Sequence, residues 1–268
     1  VNNCITVTST GDCSCVYNTF IVSGSGNKIT SSGAYGRLIN TSIYNGNNNI
    51  INLNSYSGNY SSCIINSFVV GGEKNCLWGN CSNVFNSSII AGCTNLIRSD
   101  YSDNVEQPNT INFASVSNGS LNIICTSGVD KASTNCFSTI LNGTINTIGK
   151  KANEDPGSDN TYYATTIING CKNIMNDDVC YSSIINGSCN TIEGSKYTFV
   201  AGGSGNIING GRNIFVLGSN IQPFANNFTY VNNIEAVDNT SALVLKSPNN
   251  TRYRITITNS GSLSAVQL

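Results

Sequence analysis

The chain has 268 residues, a formal net charge of −1 and only 10% charged residues. It lacks the basic surface that a nucleic-acid partner requires, and no run of about 18 apolar residues predicts a membrane span. Its 45 asparagines would suit a disordered segment, but isoleucine and valine recur at fixed places, and this regularity excludes disorder.

Three segments follow one another along the chain. We expect a Cys-rich lead-in over residues 1–19, repeats with loop insertions over residues 20–221, and a C-terminal β-hairpin cap over residues 222–268. Alternating apolar residues on either side of Asn259-Ser260-Gly261 indicate the hairpin. A cap of this kind shields the last coil of a repeat protein.

The twelve cysteines have no spacing typical of a zinc site, and the chain has no histidine. No metal or cofactor is therefore expected. We predict disulfides, and with them an extracellular or cell-surface or virion-surface location. The candidate pairs are Cys125 with Cys136, and Cys171 with Cys180 or Cys189. The alternative is free thiols that are buried as small apolar groups.

A ten-residue motif recurs between Phe20 and Ile221, and Ser183–Ile192 is its clearest copy. A typical copy has an apolar pair and then a glycine, and nine copies have an asparagine three residues after that glycine, whereas the last copy, centred on Gly218, has Ile221 there. The shortest glycine spacings are 17, 16 and 15 residues, which is typical of a β-solenoid and too short for helical repeats. We predict an all-β solenoid of about ten short coils. The asparagines expected to stack as a ladder are Asn27, Asn49, Asn75, Asn95, Asn122, Asn146, Asn173, Asn190 and Asn206.

Both positions of the apolar pair, as in Ile167-Ile168, require burial, although neighbouring strand residues point to opposite sides. A thin coil has room for one of these rows inside. The second row predicts packing against further copies of the chain, with a parallel homotrimer as the leading option. A wider monomeric solenoid, in which the insertions cover the second row, is the alternative.

The insertions between copies are the candidate binding loops for a receptor or glycan, because they leave the solenoid at one corner. Their acidic residues also raise the alternative of Ca²⁺ binding, and plain solvated loops are the third interpretation. The candidate binding residues are Tyr56, Tyr60, Tyr101, Asp103, Tyr162 and Tyr163. Candidate glycosylation sequons begin at Asn40, Asn59, Asn80, Asn86, Asn227, Asn239 and Asn249, and further sequons occupy tight corners at Asn118, Asn142 and Asn186.

The coil motif, clearest over residues 199–221, resembles the left-handed β-roll heads of trimeric autotransporter adhesins. The tail, with Tyr230–Ile234 and Ser247–Ile255, is similar to C-terminal segments of phage and giant-virus fibre proteins. This resemblance implies a left-handed roll in a trimeric attachment fibre. The roll of this chain is rich in asparagine and cysteine, whereas the adhesin roll is rich in alanine, and this difference favours a viral or eukaryote-associated fibre.

These features predict an extracellular fibre or adhesin that presents loops to a host-cell receptor or glycan. A purely structural filament or coat subunit is the alternative. An ice-binding protein would need a regular threonine row, which Phe20, Phe68 and Phe199 interrupt. A polysaccharide-acting enzyme is disfavoured because the absence of histidine removes the commonest general base, so we expect no enzymatic activity.

Overall fold

The computed structural model describes residues 2–8, 15–32, 36–54, 62–80, 82–100, 109–126, 133–149, 161–233, 243–257 and 260–268. The chain divides into two compact units, Val1–Tyr230 and Val231–Leu268. The first is a parallel β-solenoid, and no residue in the described ranges is helical. The prediction of an all-β parallel solenoid is confirmed. The described ranges also contain no helix that is long and apolar enough to cross a membrane.

Short strands separated by tight corners stack in three parallel rows. The first row contains Cys4–Thr8, Lys28–Ser32, Ile50–Asn54, Cys76–Asn80, Leu96–Ser99, Ile123–Thr126, Thr147–Ile148 and Ile174–Asn176. The second row contains Cys15–Tyr17, Arg37–Ile39, Cys63–Ile65, Asn83–Phe85, Thr110–Asn112, Thr134–Cys136 and Thr161–Tyr163. The third row contains Phe20–Ile21, Ser42–Tyr44, Phe68–Val70, Ser88–Ile90, Ser115–Ser117, Thr139–Leu141, Thr166–Ile168 and Ser183–Ile185. Thr191–Ala201 and Ile207–Leu217 run through several rows, and Thr229–Val231 joins the last of them.

The rows stack in strict register, so equivalent side chains lie over one another. In the third row Ile89 lies between Val69 and Val116, and all three are fully buried. Since successive strand residues point to opposite sides, one residue of each short strand fills the interior. The core is therefore a set of parallel columns of isoleucine, valine and leucine.

The nine predicted ladder asparagines form one continuous, fully buried stack. The side-chain oxygen of each of the first eight accepts the backbone N–H of the next ladder asparagine, as from Asn146 to Asn122 at 3.1 Å, and that of Asn206 accepts the backbone N–H of Ile221. Each side-chain N–H₂ also donates to a glycine carbonyl one coil further on, as from Asn122 to Gly143 at 3.2 Å. Amide-to-amide bonds occur as well, from Asn122 onward. The ladder thus satisfies backbone groups that the corners leave buried.

The glycine three residues before each ladder asparagine is required both by its positive φ and by the close approach of the next coil. Gly119 has a φ of +73°, and a Cβ there would lie 2.2 Å from the carbonyl oxygen of Gly143. Glycine avoids both the left-handed penalty and the clash with the next coil.

Strands before residue 20 and after residue 221 continue the stack of the solenoid. Cys4–Thr8 pairs with Lys28–Ser32, and Asn3 accepts the backbone N–H of Asn27, so the segment predicted as a lead-in already forms part of the stack. At the other end, the compact unit extends to Tyr230.

The second unit contains a three-stranded antiparallel sheet of Leu243–Lys246, Arg252–Ile257 and Leu263–Gln267. Its last two strands form the hairpin expected around Ser260-Gly261, with Ile257 opposite Leu263.

Neither candidate disulfide is formed, because the thiols of Cys136, Cys171, Cys180 and Cys189 are free. Cys171 lies in register with Ser188 rather than Cys189, and Cys180 lies over Tyr163 in another row. Stacking therefore sets these thiols in different columns. Burial also raises the pKa of Cys76 to about 12, which leaves it an inert thiol.

We expect Asn122→Ala to lower the free energy of unfolding by about 2–3 kcal/mol, because it leaves the buried backbone N–H of Asn146 without a partner and removes one of the two hydrogen bonds that the carbonyl of Gly143 accepts. Urea denaturation measures this change. Asn209→Ala, at an exposed strand position, is the control and should change stability by under about 0.5 kcal/mol. Equal effects of the two substitutions would contradict a structural role for the ladder.

Candidate binding surface

One corner of the solenoid, between the second and third strand rows, carries a left-handed residue in each coil. We call it the aromatic corner. Its residues with positive φ are Asn18, Asn40, Asn66, Asn86, Phe113, Phe137, Ala164, Tyr181, Tyr197, Asn213 and Asn227. Asparagine tolerates this backbone conformation better than other residues with a side chain do, whereas bulky residues rarely adopt it.

The asparagines of the aromatic corner form a second ladder on the surface. Asn40 accepts a hydrogen bond from the side chain of Asn18 at 3.0 Å and donates to Asn66 at 2.9 Å. The pattern continues through Asn86 to Asn112 at 3.1 Å, and it reappears from Asn213 to Asn227 at 2.7 Å.

Between these asparagine ladders lie five exposed rings, Phe113, Phe137, Tyr163, Tyr181 and Tyr197, which we call the aromatic row. Ring centroids of successive members are 5.0, 5.4, 5.2 and 5.0 Å apart. The first and last pairs are stacked nearly parallel, while the ring of Tyr163 is turned against its neighbours. Each ring is between 37% and 54% exposed. The row is a continuous apolar edge with one ring from each coil.

Phe113, Phe137, Tyr181 and Tyr197 hold these rings at positive φ, where the flanking coils use asparagine. The left-handed conformation costs about 1 kcal/mol for such a residue, and ring pairing returns a similar amount. The coil itself therefore gains little from replacing asparagine with a ring. Leu121 and Ile145 are also exposed at positive φ at another corner, so it is the continuity of the exposed rings that makes this edge a candidate binding surface.

Two cations border the C-terminal end of the aromatic row. Lys196 and Arg212 lie in register on adjacent coils, each directly before a residue of the aromatic corner. Cys180 lies in the same column, in register with both Tyr163 and Lys196. Lys196 is half-buried and Arg212 is exposed, and neither forms an ion pair within the described ranges.

The phenol of Tyr181 remains neutral at physiological pH. Desolvation, followed by the neighbouring phenols of Tyr163 and Tyr197, raises the pKa of Tyr181 above its usual value. A neutral phenol can both donate and accept hydrogen bonds, so the row combines flat apolar faces with polar tips.

The structure places the predicted binding residues in different surroundings. Tyr56, Tyr60, Tyr101 and Asp103 lie outside the described residues. Tyr163 belongs to the aromatic row. Tyr162, in contrast, is fully buried, and its hydroxyl accepts the backbone N–H of Asp177 at 3.0 Å.

Tyr162 therefore cannot contact a ligand, which corrects its assignment as a loop residue. It belongs to the strand Thr161–Tyr163, where alternation turns its side chain inward and that of Tyr163 outward.

The candidate sequons differ in exposure and in their location on the structure. Asn40, Asn86 and Asn227 are exposed on the aromatic corner, and Asn249 is exposed in the C-terminal unit. Asn80 is half-buried, whereas Asn118, Asn142 and Asn186 are exposed beside the corner glycines. Asn59 and Asn239 lie outside the described residues.

Carboxylates and thiols form no second candidate centre in the described part of the chain, where no group of three or more potential metal ligands occurs. Asp100 is buried beside Arg98, whose guanidinium lies 5.7 Å from the ring centre of Trp78. Asp178 accepts the backbone N–H of Thr161 at 2.7 Å.

Four members of the aromatic row, Phe113, Phe137, Tyr181 and Tyr197, were missed by the sequence analysis, although a signal was present. Each lies six residues before a repeat glycine, at the position where other copies have Asn40, Asn66 or Asn86. The ten-residue motif begins near the apolar pair, so it does not include the position six residues before the glycine.

We expect Tyr197→Asn to leave the free energy of unfolding unchanged within about 0.5 kcal/mol. Asparagine pays a smaller backbone cost at positive φ than tyrosine does, and this gain offsets the lost ring contact. Tyr197→Val should lower it by about 1–2 kcal/mol, since a β-branched residue fits this conformation poorly. Tyr17→Asn, at an exposed strand position outside the row, should gain no backbone stabilisation, because Tyr17 does not have a positive φ. Chemical denaturation of the three variants tests this, and equal losses for Tyr197→Asn and Tyr197→Val would contradict it.

Comparison with known proteins finds no family model, no curated protein and no solved structure that matches the chain.

Proposed function

We propose that the chain is an extracellular fibre or adhesin module, a capped left-handed roll of about ten coils whose aromatic row is an attachment surface for a glycan or receptor. The observation that carries this proposal is the row itself, which has five exposed rings, four of them at positive φ, in a corner that elsewhere holds asparagine and Ala164. In this proposal the solenoid provides a rigid support and no catalytic group.

A glycan is the receptor chemistry that the aromatic row fits best. Sugar rings present flat C–H faces that pack on aromatic side chains, while phenol and amide groups bond their hydroxyls. An extended β-linked pyranose chain also repeats at nearly the spacing of the rings, so one sugar unit per coil is possible without bending the chain. The surface asparagine ladders extend this polar and apolar edge at both ends.

Binding of β-1,4-linked oligosaccharides by isothermal titration calorimetry tests the proposal. We expect the double variant Tyr181→Asn/Tyr197→Asn to weaken binding at least about tenfold, because two ring contacts of about 1 kcal/mol each are lost. Tyr17→Asn serves as a control outside the row and should bind as the parent chain does. Undiminished binding by the double variant would contradict the role of the row.

Assembly with further copies of the chain is the second part of the proposal. The outward residues of the third strand row form a stripe without charge, made of Tyr44, Val70, Ile90, Ser117, Leu141, Ile168, Ile185 and Ala201. Another solenoid of the same rise would match this stripe coil by coil, which supports a parallel homotrimer. A monomer whose insertions cover the stripe remains the competing arrangement, and a purely structural filament the competing function.

The native mass decides between these arrangements. We expect three times the chain mass of 28.3 kDa by light scattering, falling to 28.3 kDa for Ile168→Lys, which places a charge in the stripe. Ile174→Lys, at an exposed position in the first row, is the matched control and should leave the trimer intact. A parent chain of 28.3 kDa would rule out the trimer.

A further inference from the structure

The C-terminal end of the aromatic row differs from the rest of the edge in its charge. Asparagines, rings and Ala164 occupy the corner as far as Tyr181. From Tyr197 onward, two cations stand directly beside the corner, because Lys196 and Arg212 stack in register on adjacent coils. Both side chains belong to the outward column that also holds Tyr163, and they therefore share the edge of the rings.

Neither Lys196 nor Arg212 is neutralised by an ion pair in the described part of the chain. In the described part of the chain the ion pairs join Lys74 to Glu73 and Arg98 to Asp100, and neither Lys196 nor Arg212 takes part in one. The carboxylate of Asp178, one coil before Lys196, already accepts the backbone N–H of Thr161. Two stacked like charges repel each other, and an anion placed between them would relieve that repulsion.

We infer that this end of the aromatic row selects an acidic glycan, in which a uronate carboxylate binds Lys196 and Arg212 while the sugar units pack along the exposed edge formed by Tyr181 and Tyr197. The inference rests on the proposed glycan-binding function and adds its ligand class. A guanidinium offers a carboxylate two parallel N–H donors, and the ammonium of Lys196 supplies a further charge. The ring spacing places successive sugar units on successive coils, which brings one carboxylate within reach of the cation pair.

A matched pair of probes isolates the carboxylate. Oligomers of β-1,4-linked mannuronate and of β-1,4-linked mannose share linkage and ring shape, and differ in the carboxylate at C6. We expect the acidic oligomer to bind the parent chain at least about tenfold more tightly at low salt, the effect of one charge-assisted hydrogen bond. Raising the ionic strength should weaken binding of the acidic oligomer alone.

Variants assign the preference to the two cations. Lys196→Gln/Arg212→Gln should bind both oligomers equally, whereas Lys172→Gln, at an exposed lysine in another corner, should keep the preference. Equal affinity of the parent chain for both oligomers, or a preference that survives Lys196→Gln/Arg212→Gln, would overturn the inference and leave the attachment surface standing. Binding of neither oligomer would overturn the inference and the glycan-binding proposal together.

Discussion

The structure depends on one constraint, which is that a short coil must turn sharply without leaving buried backbone groups unpaired. The chain meets it with left-handed residues at its corners and with the buried asparagine ladder. A ladder asparagine accepts one backbone N–H and donates to one glycine carbonyl, so a single side chain serves two neighbouring coils. Each coil is therefore stabilised by the next, and the abundance of asparagine and glycine follows from this geometry.

The same need for sharp turns explains why rings are unexpected at the aromatic corner. Because the corner between the second and third rows requires positive φ, asparagine is the residue with a side chain that best tolerates the position, and Asn40, Asn66 and Asn86 occupy it. Rings at Phe113 or Tyr197 depart from that rule, although nothing inside the coil needs them. This change of residue type along one column of the repeat is the reason for proposing the row as a binding surface.

Periodicity revealed the solenoid and the ladder positions, since both depend on residues that recur at fixed distances from a glycine. The rung at Asn3 and the residues after Ile221 lie outside any complete copy of the motif, so periodicity does not reveal them. Tyr162 and Tyr163 were grouped as loop residues, whereas strand alternation separates them into core and surface. Cysteine count could not predict pairing, because register rather than sequence distance decides which thiols meet.

The central claim, that buried asparagine side chains hold each coil to the next through backbone amides, is tested most directly by amide hydrogen exchange of the intact chain. The account predicts that the backbone N–H groups of Asn75, Asn95, Asn122 and Asn146 exchange as slowly as those of the buried strands, since each is bonded to the side-chain oxygen of the preceding rung. Exchange of these four amides at the rate of solvent-exposed turns would contradict it.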